Sequence, residues 1–437
     1  MEEKRSEETK RKIGESLNAT KARRLNQDIY SIELKIIESR LTAGQLWELD
    51  RIFSESKWVR NALIRRDEIF SYKYDEHRIV THYTRDMEPI KSRITLRSIY
   101  HRSTVDQAKR DVRNLSKSKK KGQKVGELRY TSEVRSIEIK TGYFHIKGPD
   151  TVSIPGFPEL PVYGLSQLDR FRDAEGNDLF ELSTARLIKK ASGRYVHADV
   201  CVDKAFKDVR PMTGRSTGLD FKPSGIVESS GRKHVYYQKE SNRLKYLQKQ
   251  MHRKQDGSKA RNHLREQIGN EYEDAYNRKK EAAKRFVQEL MDANDTVYFQ
   301  DENIKGWKDS GIYSERIQHS YIGLVKKMLM DISADTKGVR AFCIQAGFPT
   351  TRWCPHCGAI LDVKRDDTRV RCGKCNTDEE RDEHAARNMK IIGEYLRAEY
   401  LGIPYEGEYK ETVEELVKHY RKGQDKLISM MFDKHNE

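Results

Sequence analysis

The chain has no run of about 18 apolar residues, the length a helix needs to cross a bilayer, so no membrane-spanning segment is expected. Its first residues, MEEKRSEETKRKIGES, lack the apolar core of a secretory signal, and a cytoplasmic protein is the expectation. Cysteine is scarce, with six in 437 residues, and an intracellular chain offers little chance of disulfides. Hydrophobic residues are also few, at 36%, so some segments are expected to fold only against a partner. No internal repeat is visible, and no low-complexity tract beyond the lysine run SKSKKKGQK at 116–124. Acidic residues are outnumbered, 68 Asp+Glu against 84 Lys+Arg, which leaves a net charge of +16. A positive excess of that size favours a polyanionic partner, nucleic acid or an anionic membrane surface. The length allows two to four domains of about 100–200 residues each.

Four of the six cysteines form two CxxC pairs, Cys354/Cys357 in WCPHCG and Cys372/Cys375 in RCGKC, separated by a fourteen-residue insert. Two thiolates two residues apart fit on one tight turn, and two such turns supply the four soft ligands of a tetrahedral Zn²⁺ site. Four cysteines leave no open coordination position, so one structural zinc is expected. The insert, GAILDVKRDDTRVR, alternates at both ends around a polar middle and reads as a hairpin within a zinc ribbon. His356 lies inside the first pair as a neighbour rather than a ligand. Cys201 and Cys343 read as apolar core thiols.

Along the chain, residues 1–27 read as a basic arm and IYSIELKII as a strand. Thr42 and Gln45 form a capping box that opens a helix with Leu46, Leu49 and Phe53 at helical spacing. Residues 65–125 are charged and read as mostly helical. Lys119, Lys120 and Lys121, in the lysine run, are either a solvated loop or phosphate contacts. From about 126 to 210, β-branched and aromatic alternation punctuated by Gly, Pro and Asp predicts an antiparallel β unit that can take in the early strand. TGLDF then reads as a strand and IVESSGRKHVYY as a hairpin. Residues 240–290 read as two long helices. Lys249, Arg253, Lys254, Lys259 and Arg261 crowd around the turn QDGSKAR, either as a soluble face or as a ridge against a phosphate backbone. The strand DTVYFQDE follows, and HAARNMKIIGEYLRAEYL is an amphipathic helix.

Three carboxylates stand at element ends: Asp220 in TGLDF, Glu302 closing VYFQDE, and Asp382 in RDEHAARNM. Brought together, three acids hold two Mg²⁺ ions about 3.5–4 Å apart, the arrangement that hydrolyses a phosphodiester by in-line attack of water. Singly each has a plainer reading: Asp220 as a turn cap, Glu302 as one of a run with Asp301, Asp382 as a helix cap beside Asp378, Glu379 and Glu380. Trp307 and Trp353 read either as core or as platforms for a stacked base.

The order of these features resembles the TnpB family of transposon-associated RNA-guided DNA endonucleases and the miniature type V CRISPR nucleases related to them. The likeness spans about 211–395 and rests on TGLDF, DGSKAR, the ribbon entry TTRWCPHCG and RDEHAARNM, in which His384 replaces the family's Asn. It implies an α/β and α+β multidomain fold. An RNase H-like (RuvC) nuclease domain would occupy 211–345 and 377–437, with a four-cysteine zinc ribbon inserted at 346–376 to bind target nucleic acid. A β-barrel wedge domain would span 28–40 and 126–210, interrupted by a helical recognition domain at 41–125. It implies catalytic Mg²⁺ on Asp220, Glu302 and Asp382, a guide RNA and target DNA as partners, and a prokaryotic cytoplasm; a monomer and a homodimer both remain open. Glu302-Asn303-Ile304 is set against the family's E-D-L. An alternative register puts Gln300 at the acid position and implies a weakened enzyme. The rival readings are a nuclease-silent RNA-guided repressor and a transposase.

Overall fold

The computed structural model describes residues 19, 22–66, 69–72, 78–84, 88–120, 122, 124–203, 212–309, 311, 313–335, 340–364 and 366–421. Most of the expected basic arm, and Lys121, lie outside them. The chain divides into two compact units, Met1–Phe206 and Lys207–Glu437. No helix among the described residues is long and apolar enough to cross a membrane.

In the first unit, β1 (Gln27–Ile36) is followed by α1 (Ala43–Arg66), β2 (Ile79–Tyr83), β3 (Pro89–Arg93) and α2 (Ser98–Lys120). Then come β4 (Ser136–Ile139), β5 (His145–Gly148), β6 (Thr151–Ile154), β7 (Phe157–Tyr163), β8 (Phe180–Lys190) and β9 (Gly193–Asp203). Ile32, Leu34 and Ile36 of β1 alternate into the core, the period of a strand with one buried face. That strand pairs antiparallel with both β7 and β9, so the early strand does join the later β region. The sheet runs β4-β8-β9-β1-β7-β6-β5. Its outer strands, β4 and β5, are four residues each and are not paired with one another, so among the described residues the expected barrel is an open sheet. At the start of α1, Thr42 N–H donates to Gln45 Oε1 (2.9 Å) and Gln45 N–H to Thr42 Oγ1 (3.2 Å), the expected capping box. Leu49, Phe53, Val59 and Leu63 are buried along this one helix. The region read as mostly helical also contains the β2–β3 hairpin, whose β-branched run Ile79-Val80-Thr81 is the strand signal that reading passed over.

In the second unit, β10 (Ser216–Lys222), β11 (Gly225–Glu228) and β12 (Lys233–His234) precede α3 (Asn242–His252), α4 (Lys259–Ala293) and β13 (Thr296–Gln300). Next are α5 (Ile304–Asp309), α6 (Ser314–His319), α7 (Ile322–Asp335) and β14 (Arg340–Ile344). The chain continues through β15 (Arg369–Arg371), β16 (Asp378–Glu380), α8 (Arg381–Leu401) and α9 (Lys410–Arg421). The sheet order is β12-β11-β10-β13-β14, with β10, β13 and β14 parallel and the β10–β11–β12 end antiparallel. Parallel neighbours need long crossovers, and the helices supply them: α3–α4 between β10 and β13, α5–α7 between β13 and β14.

Both faces of this sheet are covered. Leu219, Phe221, Val297, Phe299 and Ala341 pack against Phe286, Val287 and Leu290 of α4 and Ile322, Val325 and Leu329 of α7. Tyr298, Phe342 and Ile344 face the other way, onto Met389, Ile392 and Leu396 of α8 and Val413 and Val417 of α9. Burying each such side chain contributes about 1.5–3 kcal/mol. Helix α8 lies directly on β10 because residue 218 is glycine: a Cβ there would collide with Ala386 O and Lys390 N of the helix backbone. The far half of α4 leaves the sheet, and its Leu264 and Ile268 pack with Leu244, Leu247 and Met251 of α3 in a small separate core.

Candidate active site

Because side chains alternate on a strand, the neighbours of Leu219 and Phe221 point away from α4 and toward α8. Asp220 and Lys222 therefore share the face on which α8 begins. Asp382 is in the first turn of α8, where the helix dipole favours a negative charge. Asp220 and Asp382 line one cavity of about 340 Å³, together with Lys222, Arg352, Lys364 and Arg381. The Asp382 carboxylate is ion-paired with Lys222 Nζ, and Arg381 Nε donates to its Oδ1 at 3.3 Å. Asp378, the competing acid, is tied instead to Arg369 (2.7 Å) and Arg371 (3.0 Å) across the β15–β16 ladder.

Glu302 does not close its strand as expected: β13 ends at Gln300. Glu302 lies two residues on, in the loop before α5, and is not among the residues lining the cavity. Lys326 Nζ fixes this loop by donating to Asp301 Oδ1 (2.5 Å) and Glu302 O (2.7 Å). Gln300 is buried at the strand end. Its amide oxygen accepts from Gly347 N–H (3.0 Å) and Phe348 N–H (3.1 Å), and its nitrogen donates to Glu302 Oε1 (3.3 Å). The parallel register Leu219↔Phe299 puts Gln300, one step on, beside Asp220.

Burial pushes the Asp220 carboxyl up to about 7; the Glu302 carboxylate pushes it the same way, while Lys222 and Arg381 pull it down. Burial also raises Glu302, with Lys326 opposing and Asp301 reinforcing. The Asp220 carboxylate accepts no hydrogen bond from any described residue. The two carboxylates, Asp220 without a hydrogen-bond donor, offer the oxygen ligands a hard divalent cation such as Mg²⁺ takes, in a cavity they share with Lys222, Arg352, Lys364 and Arg381. The three acids are nevertheless not gathered to ligand distance. Among the described residues, one group of metal-capable side chains has all its ligand atoms within 4.8 Å of one another, and it is the four cysteines.

In that group, Cys354 and Cys375 sulfurs are 3.5 Å apart, as are those of Cys357 and Cys372. A tetrahedron with arms of about 2.3 Å has edges of roughly 3.8 Å, so the cluster is able to hold a zinc ion. The two turns repeat one design. Gly358 N–H donates to Cys354 O (2.9 Å) and Cys354 N–H to Ala359 O (2.9 Å); Asn376 N–H donates to Cys372 O (2.8 Å) and Cys372 N–H to Thr377 O (2.8 Å). The fifth residue of each turn is left-handed, Gly358 at φ 72° and Asn376 at φ 60°, as residues tolerant of that region allow. The Thr377 hydroxyl and N–H hold the Cys375 thiol down at about 6, whereas burial pushes Cys354 up to about 12. The hairpin expected within the insert is displaced: β15 pairs with β16 around the second turn, and an isolated bridge, Trp353↔Ile360, closes the first. The turns themselves demand that pairing, which leaves the polar middle of the insert outside any ladder. His356 stacks edge-on against Tyr409 and is outside the sulfur group.

His384 ties the ribbon to α8. Its ring nitrogens face Glu379 Oε2 (2.7 Å) and Trp353 O (2.9 Å), and Asn388 Nδ2 donates to Trp353 O (2.7 Å) and Thr350 O (2.8 Å). Trp353 is fully buried and belongs to the core, so the stacking role does not apply to it; Trp307 is half-buried against the α4 side of the sheet. Lys119 and Lys120 are exposed at the end of α2. Lys249, Arg253, Lys254 and Lys259 are exposed around the α3–α4 turn, while the Arg261 guanidinium closes that turn onto Lys254 O (3.0 Å) and Asp256 (3.3 Å). The charged cavity residues that the sequence reading does not single out are Lys222, Arg352, Lys364 and Arg381. For Lys222 a signal existed: two residues beyond Asp220 on a strand is the same face.

The profile of the Cas12f1-like TNB domain matches residues 328–389. Among curated proteins none matches the chain. Among solved structures, a Cas12f1–sgRNA–target DNA complex is similar at 11% identity over 84% of this chain and 99% of that one, with a TM-score of 0.42. The mini-RNA-guided endonuclease CRISPR-Cas phi3 is similar at 10% identity over 65% of each chain, with a TM-score of 0.33. The stretch from the end of α7 through the four-cysteine ribbon to the start of the RDEHAARNM helix is thus similar to the Cas12f1-like TNB domain, and the chain resembles the TnpB and miniature type V CRISPR nuclease family.

Proposed function

We propose that this chain is an RNA-guided DNA endonuclease that hydrolyses target DNA in the cleft between β10 and the start of α8. The observation that carries the reading is the pairing of Asp220 and Asp382 in one cavity, with the Glu302 charge felt at Asp220 and the ribbon residues Arg352 and Lys364 on the same wall. A mixed sheet with order β12-β11-β10-β13-β14, with Asp220 on β10, Asp382 in the first turn of α8 and helices on both faces, supports an RNase H-like (RuvC) nuclease domain over 211–345 and 377–437. The ribbon at 346–376 is the target-binding element, and residues 28–40 and 126–210 with 41–125 are the wedge and recognition parts. Asp220, Glu302 and Asp382 are the residues that would hold Mg²⁺, which would supply an activated water and a Lewis acid for the leaving oxygen. Arg352, Lys364 and Arg381 draw the DNA phosphate to the acids, and one phosphate at a time enters, so the strand arrives unpaired. Zn²⁺ on Cys354, Cys357, Cys372 and Cys375 is structural. Base pairing by the guide RNA reads sequence, while a chain of net charge +16 grips backbones.

The test is cleavage by the full-length protein with its co-purifying RNA and a matched target in Mg²⁺. Asp220→Ala is expected to lower the rate by at least about a thousandfold while guide and target binding persist. Undiminished cutting by that variant would overturn the reading. One observation favours a second reading, a guided binder without nuclease activity: Gln300, not an acid, stands beside Asp220 in the strand register. Tight binding of matched DNA by the wild-type complex with no cleavage in Mg²⁺ or Mn²⁺ would establish it.

A further inference from the structure

Lys222 follows Asp220 by two residues on the same face of β10, and its ammonium is ion-paired with Asp382 Oδ2. Both side chains are largely shielded, 18% and 22% exposed, so the pair is only partly screened by water. Four cations, Lys222, Arg352, Lys364 and Arg381, share the cavity with only two acids, Asp220 and Asp382. Arg352 and Lys364 enter from the ribbon, and Arg381, the residue before Asp382, donates to Asp382 Oδ1 while Lys222 is paired with Oδ2. Lys222 alone crosses from the sheet to Asp382. Docking of α8 does not depend on it, because the Gly218 contact and the apolar layer already hold the helix on the sheet. A carboxylate oxygen engaged by an ammonium is not available to a divalent ion.

We propose that Lys222 is a resident cation of the carboxylate cleft: its ammonium and a divalent ion compete for Asp382, so the first ion loads at Asp220 and loading at Asp382 requires Lys222 to leave. The proposal rests on the reading of the cleft as a metal site given above. It makes Lys222 a positioning residue that sets the order and strength of metal loading. It also gives Asp382 a partner in a cleft where no cluster of three acids is gathered, while four thiols in the same unit stand together.

The test is Mn²⁺ binding to the full-length, zinc-loaded protein, read as free Mn²⁺ by electron paramagnetic resonance, with no nuclease assay involved. In the wild type, one Asp220-dependent ion and a weaker second are expected. Lys222→Gln is expected to tighten the weaker site by about tenfold or more, since an ion pair no longer has to be broken. Lys222→Arg, which keeps a cation in place, is expected to retain the wild-type isotherm, and serves if the Gln variant folds poorly. Lys364→Gln makes the same change of charge in the same cavity without touching Asp382, and is expected to leave the second site alone. A Lys222→Gln isotherm that coincides with wild type, or a Lys364→Gln shift equal to it, overturns the proposal and leaves the metal-site reading intact. An Asp220→Asn isotherm equal to wild type overturns that reading, and the proposal falls with it.

Discussion

The sulfurs of the ribbon are gathered by two turns of five residues each, with every turn closed by its own backbone hydrogen bonds. The carboxylates of the cleft come from a strand, a loop and a helix start, separated by 82 and 80 residues of chain, and are positioned only by the packing of α8 and β13 around β10. The first site stands assembled within 4.8 Å, and the second does not. Local turns can enforce ligand distance by themselves because few torsions are involved. A distributed site depends on every layer between its parts, and like charges within it repel until a cation arrives. In this chain a lysine already stands at one of the acids.

The largest effect expected from disturbing either side of this contrast is in the ribbon. Cys372→Ser should abolish stoichiometric zinc, since structural zinc sites carry about 10–16 kcal/mol of apparent binding energy that doubles as folding energy. Metal analysis and limited proteolysis would show a ribbon cut while the sheet core stays resistant; a full complement of tightly held zinc would contradict the assembled-site view. Next comes Gly218→Val, which forces α8 off β10 and should cost about 3 kcal/mol or more in denaturant unfolding, with cleavage falling alongside. A silent substitution would mean that the close approach does not position Asp382.

A smaller effect is expected at Asp220. Its folded value, about 7, is raised above the ordinary 3.8, so its stabilising contribution is complete below the lower value and is lost as pH rises through the upper one. Metal-free wild type should therefore weaken between these limits relative to Asp220→Asn, by about 1–3 kcal/mol at pH 8, and divalent ions should narrow the gap. Parallel pH–stability curves for the two proteins would rule out a destabilised carboxylate. The smallest effect is expected for Thr377→Ala, which removes the hydroxyl donor to Cys375 at 3.0 Å. Zinc affinity should fall about tenfold with the ribbon still folded, measured by competition with a chelator.

The ribbon was legible in sequence because its chemistry is written at a spacing of two residues, and the matched profile over 328–389 covers it. The helix opening at RDEHAARNM, the capping box at Thr42 and the β11–β12 hairpin were legible for the same reason: each depends on near neighbours. What escaped depends on distant contacts. The pairing partner of β15 is set by a turn on its far side, and the end of β13 by ladder hydrogen bonds to β14. The failure of the first sheet to close depends on two short outer strands that nothing in their own residues distinguishes from barrel strands. Lys222 was passed over for another reason. Lysines are abundant in this chain and mostly clustered, whereas the one that meets Asp382 is a single residue on a strand, with no local pattern to mark it.

Strand β16 ends at Glu380 and helix α8 begins at Arg381, with no connecting loop. Cys375 and Asp382 are thus seven residues apart, joined by the end of the second turn, β16 and the start of α8, and braced sideways by His384 and Asn388 against Trp353 O. The strand-to-helix part of this link leaves little slack to absorb error. On the nuclease reading proposed above, tilting of the thiolate end is delivered to Asp382 as misalignment, and removing zinc from the thiolates would spoil aim at the phosphate even though every acid remains in the chain.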